Sequence, residues 1–396
     1  MNQVMMDQFS KPTLATRMEA IQAFHVMEIL ARAKQLEAQG RCICHLEVGE
    51  PDFATPQPII EAGLKALQAG YTKYTPACGI PQLREKIAQW YQDQFHITIK
   101  PERVIVTPGA SGALQLALGV LVNPNSEIIL TDPGYPCNRH FVHLFEGKAI
   151  NLPVDASTNY QPSLTAVQQA WTESTRAALF ASPANPTGTL LAPQTIKALH
   201  QFIQQQCGDL LIDEIYQGLT YGQAPSTALA CADNIWIINS FSKYFGMTGW
   251  RLGWLIAPDY ALDAINRLAQ NLFLAPPTPA QYAALAAFEA HTLEITEQRR
   301  NIFAERRNFL LPALRELGFQ VQAEPQGAFY IYANSASLHD DSQALCLALL
   351  EKAGVAATPG IDFGMHHARQ HVRFAYTTDQ ASLEKSIERI RTYLQN

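Results

Sequence analysis

A series of short apolar runs, each ended by a polar or glycine-rich break, constrains the fold of this chain more than any other feature. Val104-Ile105-Val106 runs into a glycine turn at Gly109 and a helical stretch from Ala113 to Leu121. Ile128-Ile129-Leu130 runs into Asp132-Pro133-Gly134-Tyr135-Pro136. Ala177 to Ala181 precedes Pro183-Ala184-Asn185-Pro186-Thr187-Gly188, and Leu210-Leu211-Ile212 precedes Asp213-Glu214-Ile215-Tyr216. Ile235 to Ile238 precedes Ser240-Phe241-Ser242-Lys243, and Leu252 to Ala257 reads as one further strand. Strands alternating with helical patterns at this spacing predict an α/β fold. Its mostly parallel central sheet would be covered by helices on both faces.

From about residue 291 the pattern changes. Long charged helical stretches carry Arg299-Arg300 and Arg306-Arg307, and two later runs, Gly327 to Tyr332 and Val372 to Tyr376, read as strands. This predicts a smaller α+β domain. Residues 17 to 39, with Ile21, Met27, Leu30 and Leu36 among their apolar positions and Gly40 at their end, read as an amphipathic helix. We expect three parts: an N-terminal segment and helix (1–48) packing with the small domain, a large domain (49–290), and the small domain (291–396).

The bulk numbers exclude several functions. A length of 396 residues accommodates two domains. A formal net charge of -6 with no Lys/Arg block argues against a nucleic-acid surface. No run reaches the ~18 apolar residues of a membrane helix, and Met1 to Thr16 has no apolar core of signal-peptide length. The cysteines at 42, 44, 78, 137, 207, 231 and 346 follow no pairing pattern, which suits a reduced, cytoplasmic protein. Cys42-x-Cys44 lacks the second pair that a zinc site needs, and His366, His367 and His371 read as a polar loop or helix face, so no metal is expected.

Ligands of open α/β sheets bind beyond the carboxyl ends of the strands. Asn185, Asp213 and Lys243 each lie just past such an end. Lys243, flanked by Phe241 and Phe245, is badly placed as a solvated charge and well placed as an amine that forms a Schiff base. Ser240, Ser242 and Arg251 supply the hydroxyls and forked cation that a phosphate ester needs. Gly109-Ala110-Ser111-Gly112, between strand and helix, offers backbone amides and small side chains to the same anion. A lysine beside a phosphate cradle points to pyridoxal 5'-phosphate. Asp213 would face the pyridine nitrogen, since a carboxylate at a buried strand end needs a cationic partner. Tyr216 and Asn185 could donate to the ring oxygen, and Asn185 also to a substrate carboxylate. Tyr135 is a candidate to stack on the ring. Arg373, inside an apolar strand pattern, requires an anion, and a substrate carboxylate suits it. Against ordinary roles such as a helix cap for Asp213 or a turn for Asn185 stands their joint placement. A hydrolase reading of Ser111 is weakened because Ala113 stands where a glycine is expected.

In combination, S-x-S-K-x7-R-x-G and P-x-N-P-x-G resemble the class I aminotransferases of the fold-type I pyridoxal-phosphate family. The likeness runs from about Arg17 to Arg391, in the branch of the bacterial aspartate aminotransferases. It implies Lys243, Asp213, Asn185, Tyr216 and Tyr135 around the cofactor ring. It also implies Arg251, Ser240, Ser242 and the turn Gly109-Ala110-Ser111 on the phosphate, and Arg373 on the substrate α-carboxylate. Only the resemblance implies that Gly49 gives that carboxylate a backbone contact. It alone also implies that Tyr74 reaches the phosphate of a neighbouring subunit, hence a homodimer with shared sites. The implied activity is ping-pong transfer of an amino group between an amino acid and a 2-oxo acid. A carbon–sulfur β-lyase on the same scaffold is the alternative, and a non-catalytic cofactor-binding regulator a remote one. Some dicarboxylate-preferring relatives carry lysine where Ser111 stands, and others use an arginine from the partner subunit, which is not placed in this sequence. No second cation for a side-chain carboxylate is evident, and Ile21, Phe24 and Phe329 are expected to give an apolar or mixed pocket.

Overall fold

The computed structural model describes residues 14–395, so the first part of the expected N-terminal segment lies outside the described residues. Twelve strands are formed among them. The first is the short β1 (Cys44–His45). Seven follow: β2 (Val104–Thr107), β3 (Glu127–Asp132), β4 (Lys148–Pro153), β5 (Thr175–Ala181), β6 (Asp209–Asp213), β7 (Trp236–Ser240) and β8 (Gly253–Ile256). These seven make the central sheet in the order β2-β8-β7-β6-β5-β3-β4. β8 pairs antiparallel with both neighbours, and the other pairings are parallel.

The alternation along each strand explains why both faces are covered. Leu210 and Ile212 join one apolar cluster and Leu211 the other; Ile237 joins the first, Trp236 and Ile238 the second. A strand with two buried faces reads as a continuous apolar run, which is what these segments show. One face is covered by helices including Pro81–Phe95 and Pro193–Gln205, the other by Gly109–Leu121 and Leu262–Leu272.

The 27-residue helix Ala290–Glu316 leads into the C-terminal elements. β9 (Tyr330–Asn334), β11 (Thr358–Pro359) and β12 (His371–Ala375) form an antiparallel sheet in the order β11-β12-β9. β10 (Val355–Ala356) pairs in parallel with β1, Cys44 opposite Val355. The first helix, α1 (His25–Ala38), packs Ile29, Ala33 and Leu36 into the apolar cluster of this C-terminal region.

α1 spans His25–Ala38, shorter than the expected 17–39. A 3₁₀ turn covers Thr16–Glu19, and the chain then extends through residues 21–24. Met27, expected on the apolar face, is 56% exposed. The difference has a physical cause: the cap that fixes the start of α1 comes from Asp362, far along the chain.

Candidate active site

β5, β6 and β7 lie side by side, with Ala181 opposite Asp213 and Asp213 opposite Ile238. Their carboxyl ends therefore open on one edge, and the polar residues that follow them meet in one cavity of about 250 Å³. The C-terminal strands close its other side through Tyr330 and Arg373.

Lys243 follows β7 in a turn anchored by the fully buried Phe241 and Phe245. Its Nζ donates to the Gly49 carbonyl at 2.7 Å. Burial disfavours the ammonium, the positive Arg373 and Arg251 add to this, and Glu50 opposes it; the result is a pKa lowered from 10.5 to about 8. Asp213 ends β6 and is buried. It accepts the Ile215 amide at 3.0 Å and has no cationic partner among the described residues. Desolvation raises its pKa from 3.8 to about 6.

Arg373 is buried on β12 and stacks over Tyr330, its guanidinium carbon 4.3 Å from the ring centre. It donates to Asn185 Oδ1 at 3.0 Å and to the Glu47 carbonyl, and its buried Nε has no partner. No carboxylate pairs with it among the described residues. Because Asn185 Oδ1 receives Arg373, the amide of Asn185 remains available to donate into the cavity. Tyr216 Oη lies 2.8 Å from Tyr330 Oη, and both phenols are held protonated by burial. Tyr135, at the N-cap of the Pro136–Leu144 helix, lines the same cavity.

The opposite end of the cavity is a cradle of donors. The Gly109–Leu121 helix begins there, and its first-turn amides have no intrahelical acceptor. Ala110 and Ser111 line the cavity beside Ser240, Ser242 and Arg251. Ser240 Oγ and Ser242 Oγ are 2.9 Å apart. Gly109 has φ +70°, and a Cβ there would lie 2.6 Å from Arg251 Nη2, so glycine permits the guanidinium to lie against the helix start. Arg251 itself takes a left-handed conformation, φ 51°.

Tyr74 stands apart, 83% exposed and outside the cavity; Gly109 does not line the cavity either, but lies against Arg251 behind it. The expected wall is corrected in part. Phe24 lines the cavity, joined by Val26 and Met27, but Ile21 and Phe329 do not. Phe329 is fully buried against Tyr216 and Phe303 instead. Phe329 lies in the turn before β9, and its neighbour Tyr330, the first residue of that strand, lines the cavity. Sequence reasoning missed Tyr330, because a tyrosine inside an apolar strand carries no mark of function. His371 is a core residue, stacked on Tyr332 with centroids 4.6 Å apart. Among the described residues no group of three or more His, Cys, Asp or Glu could hold a metal ion.

A family model described as aminotransferase class I and II matches residues 42–390. The chain is 35% identical over 384 residues to the (5-formylfuran-3-yl)methyl phosphate transaminase of Methanocaldococcus jannaschii, covering 96% of this chain and 99% of that one. It is 34% identical over 395 residues to the aspartate aminotransferase of Bacillus subtilis, covering 96% and 99%. The crystal structure of an aminotransferase from Mycobacterium tuberculosis superposes with a TM-score of 0.93 at 33% identity, covering 97% of this chain and 100% of that one.

Proposed function

The chain belongs to the class I and II aminotransferases, and from that premise we propose that it moves an amino group between an L-amino acid and a 2-oxo acid by a ping-pong route, with pyridoxal 5'-phosphate as cofactor. One observation carries this reading. In a single cavity, an amine whose charge is disfavoured lies with a buried carboxylate that has no cationic partner. A pyridinium nitrogen would be the missing partner of Asp213, and the donors around Arg251 suit a phosphate, so the residues fit the group.

Bound there, the cofactor would supply an aldehyde for amino groups and a ring that withdraws electrons from the substrate Cα. Lys243 Nζ is the residue that would hold the cofactor covalently and, once displaced by substrate, would move a proton as base and then acid. Asp213 would keep a proton on the ring nitrogen. Asn185 and Tyr216 would donate to the ring oxygen, and Tyr135 would face the ring. Ser240, Ser242, Arg251 and the amides after Gly109 bind the phosphate. Arg373, with Asn185, binds the substrate carboxylate, and the Gly49 backbone borders it. Tyr74 serves the site of a partner subunit in a homodimer. Its exposure supports that placement. The division into 1–48, 49–290 and 291–396 is supported by the pairing of β1 with β10 and by the C-terminal strands forming a sheet apart from the central one. Seven free cysteines support a reducing, cytoplasmic setting.

The test is a single-turnover half-reaction. The cofactor-loaded protein is mixed with a panel of amino acids and its absorbance followed. Stoichiometric retention of the amino group on the cofactor supports transamination; release of ammonia with pyruvate identifies β-elimination. Steady-state turnover by Lys243→Ala would refute the role of Lys243.

A further inference from the structure

Helix α1 begins without a cap of its own. Phe24 stands at the N-cap position and makes no side-chain hydrogen bond to the first turn. The His25 amide donates to Asp362 Oδ1 at 2.8 Å and the Val26 amide to Asp362 Oδ2 at 2.8 Å. A single carboxylate, from the connection between β11 and β12, thus satisfies two unpaired donors of a helix at the other end of the chain. Asp362 is 2% exposed, and its carbonyl accepts Arg139 Nη2 at 3.0 Å. Two charge-assisted bonds from one rigid group fix the position of the helix start and its rotation.

What they fix borders the cavity. Phe24, Val26 and Met27 form an apolar part of its lining. The charged residues that line it are Asp213, Lys243, Arg251 and Arg373, each already given a task. No further cation of this chain lines it to receive a second substrate carboxylate.

We propose that Asp362 is a specificity-determining positioning residue: it holds the start of α1 so that Phe24, Val26 and Met27 form an apolar wall, and the site takes amino donors with apolar side chains. This rests on the reading of Arg373 as the carboxylate holder. A hydrophobic subsite discriminates by roughly tenfold or more for each methylene it accommodates, so a displaced wall changes selectivity before it changes chemistry.

The experiment uses the cofactor-loaded protein and three carboxylates without an amino group, titrated by calorimetry: propanoate, 3-phenylpropanoate and butanedioate. We expect 3-phenylpropanoate to bind at least roughly tenfold tighter than propanoate, and butanedioate no tighter than propanoate. Asp362→Asn keeps one acceptor and loses the charge. It should shrink the phenyl preference roughly three- to tenfold and leave propanoate unchanged. It should also speed amide hydrogen exchange at residues 24–27 while β6 stays protected. Phe24→Ala, which spares the cap, should shrink the same preference and serves if Asp362→Asn does not fold. Tighter butanedioate binding, equal weakening of all three ligands by Asp362→Asn, or faster exchange throughout the chain overturns the proposal. If propanoate binds and the phenyl group adds nothing, this inference alone fails. If propanoate does not bind at all, the reading of Arg373 fails and takes this inference with it.

Discussion

The hydroxyl of Tyr330 occupies the place where a side chain on Gly49 would begin: a Cβ there would lie 1.8 Å from Tyr330 Oη. That hydroxyl contacts Tyr216, and the Gly49 carbonyl holds Lys243. One backbone position therefore governs both a phenol pair and the amine. Gly49→Ala should lower kcat/KM roughly 10- to 100-fold through displacement of these groups, with secondary structure intact by circular dichroism. Wild-type kinetics in that variant would show that the contact has no functional weight.

Asp213 makes the cofactor-free protein sensitive to pH. Its folded pKa is about 6, above the ordinary 3.8. The stability it contributes is fully present below 3.8 and is lost as pH rises through 6. Above that window the buried charge costs about 3 kcal/mol. Asp213→Asn should accordingly stabilise the cofactor-free protein by about 1–3 kcal/mol at pH 8, and by less at pH 5, while abolishing most activity. Denaturant unfolding at the two pH values measures this; a gain independent of pH contradicts the assignment.

Lys243 should reveal its environment in the rate of covalent cofactor capture, which needs the neutral amine. With a pKa lowered to about 8 by burial, that rate should rise with pH and level off just above 8. In stability terms the sign is opposite to that of Asp213: the contribution is present above 10.5 and lost as pH falls through 8. Stopped-flow absorbance between pH 6.5 and 9.5 reads the midpoint, and a rate still climbing tenfold per pH unit at 9.5 would deny the shift.

Tyr74 is exposed in the isolated chain, so its proposed partner is another copy. Mixing Lys243→Ala with Tyr74→Ala protein should regain activity, because each hybrid dimer holds one site with both native residues. Recovery toward roughly a quarter of wild-type activity is expected for random exchange of subunits in a twofold dimer. Mixtures no more active than their components would argue against a shared site.

The sheet was legible because Leu210-Leu211-Ile212 and its neighbours are apolar at consecutive positions, a pattern that burial on both faces imposes. Asn185, Asp213 and Lys243 were legible because a polar residue at the end of such a run is costly without a task. The start of α1 was not. Phe24 carries no capping signal, and the acceptor that replaces it, Asp362, lies 337 residues beyond His25. The roles of Tyr330 and Phe329 were hidden for another reason: adjacent aromatic residues carry the same signal, and the boundary that leaves Phe329 in the turn and Tyr330 in β9 is not marked in the sequence.

The pairing of β1 with β10 sets a schedule for synthesis. Cys44 meets Val355 across more than three hundred residues, so the strand leading to Gly49 leaves the ribosome long before its partner is made. Contacts of such separation close slowly and leave apolar edges open meanwhile. The central sheet can form during translation, whereas the carbonyl that holds Lys243 reaches its place only after the last strands emerge. A chain arrested before residue 355 would own a lysine, an aspartate and an anion cradle, yet no working catalyst.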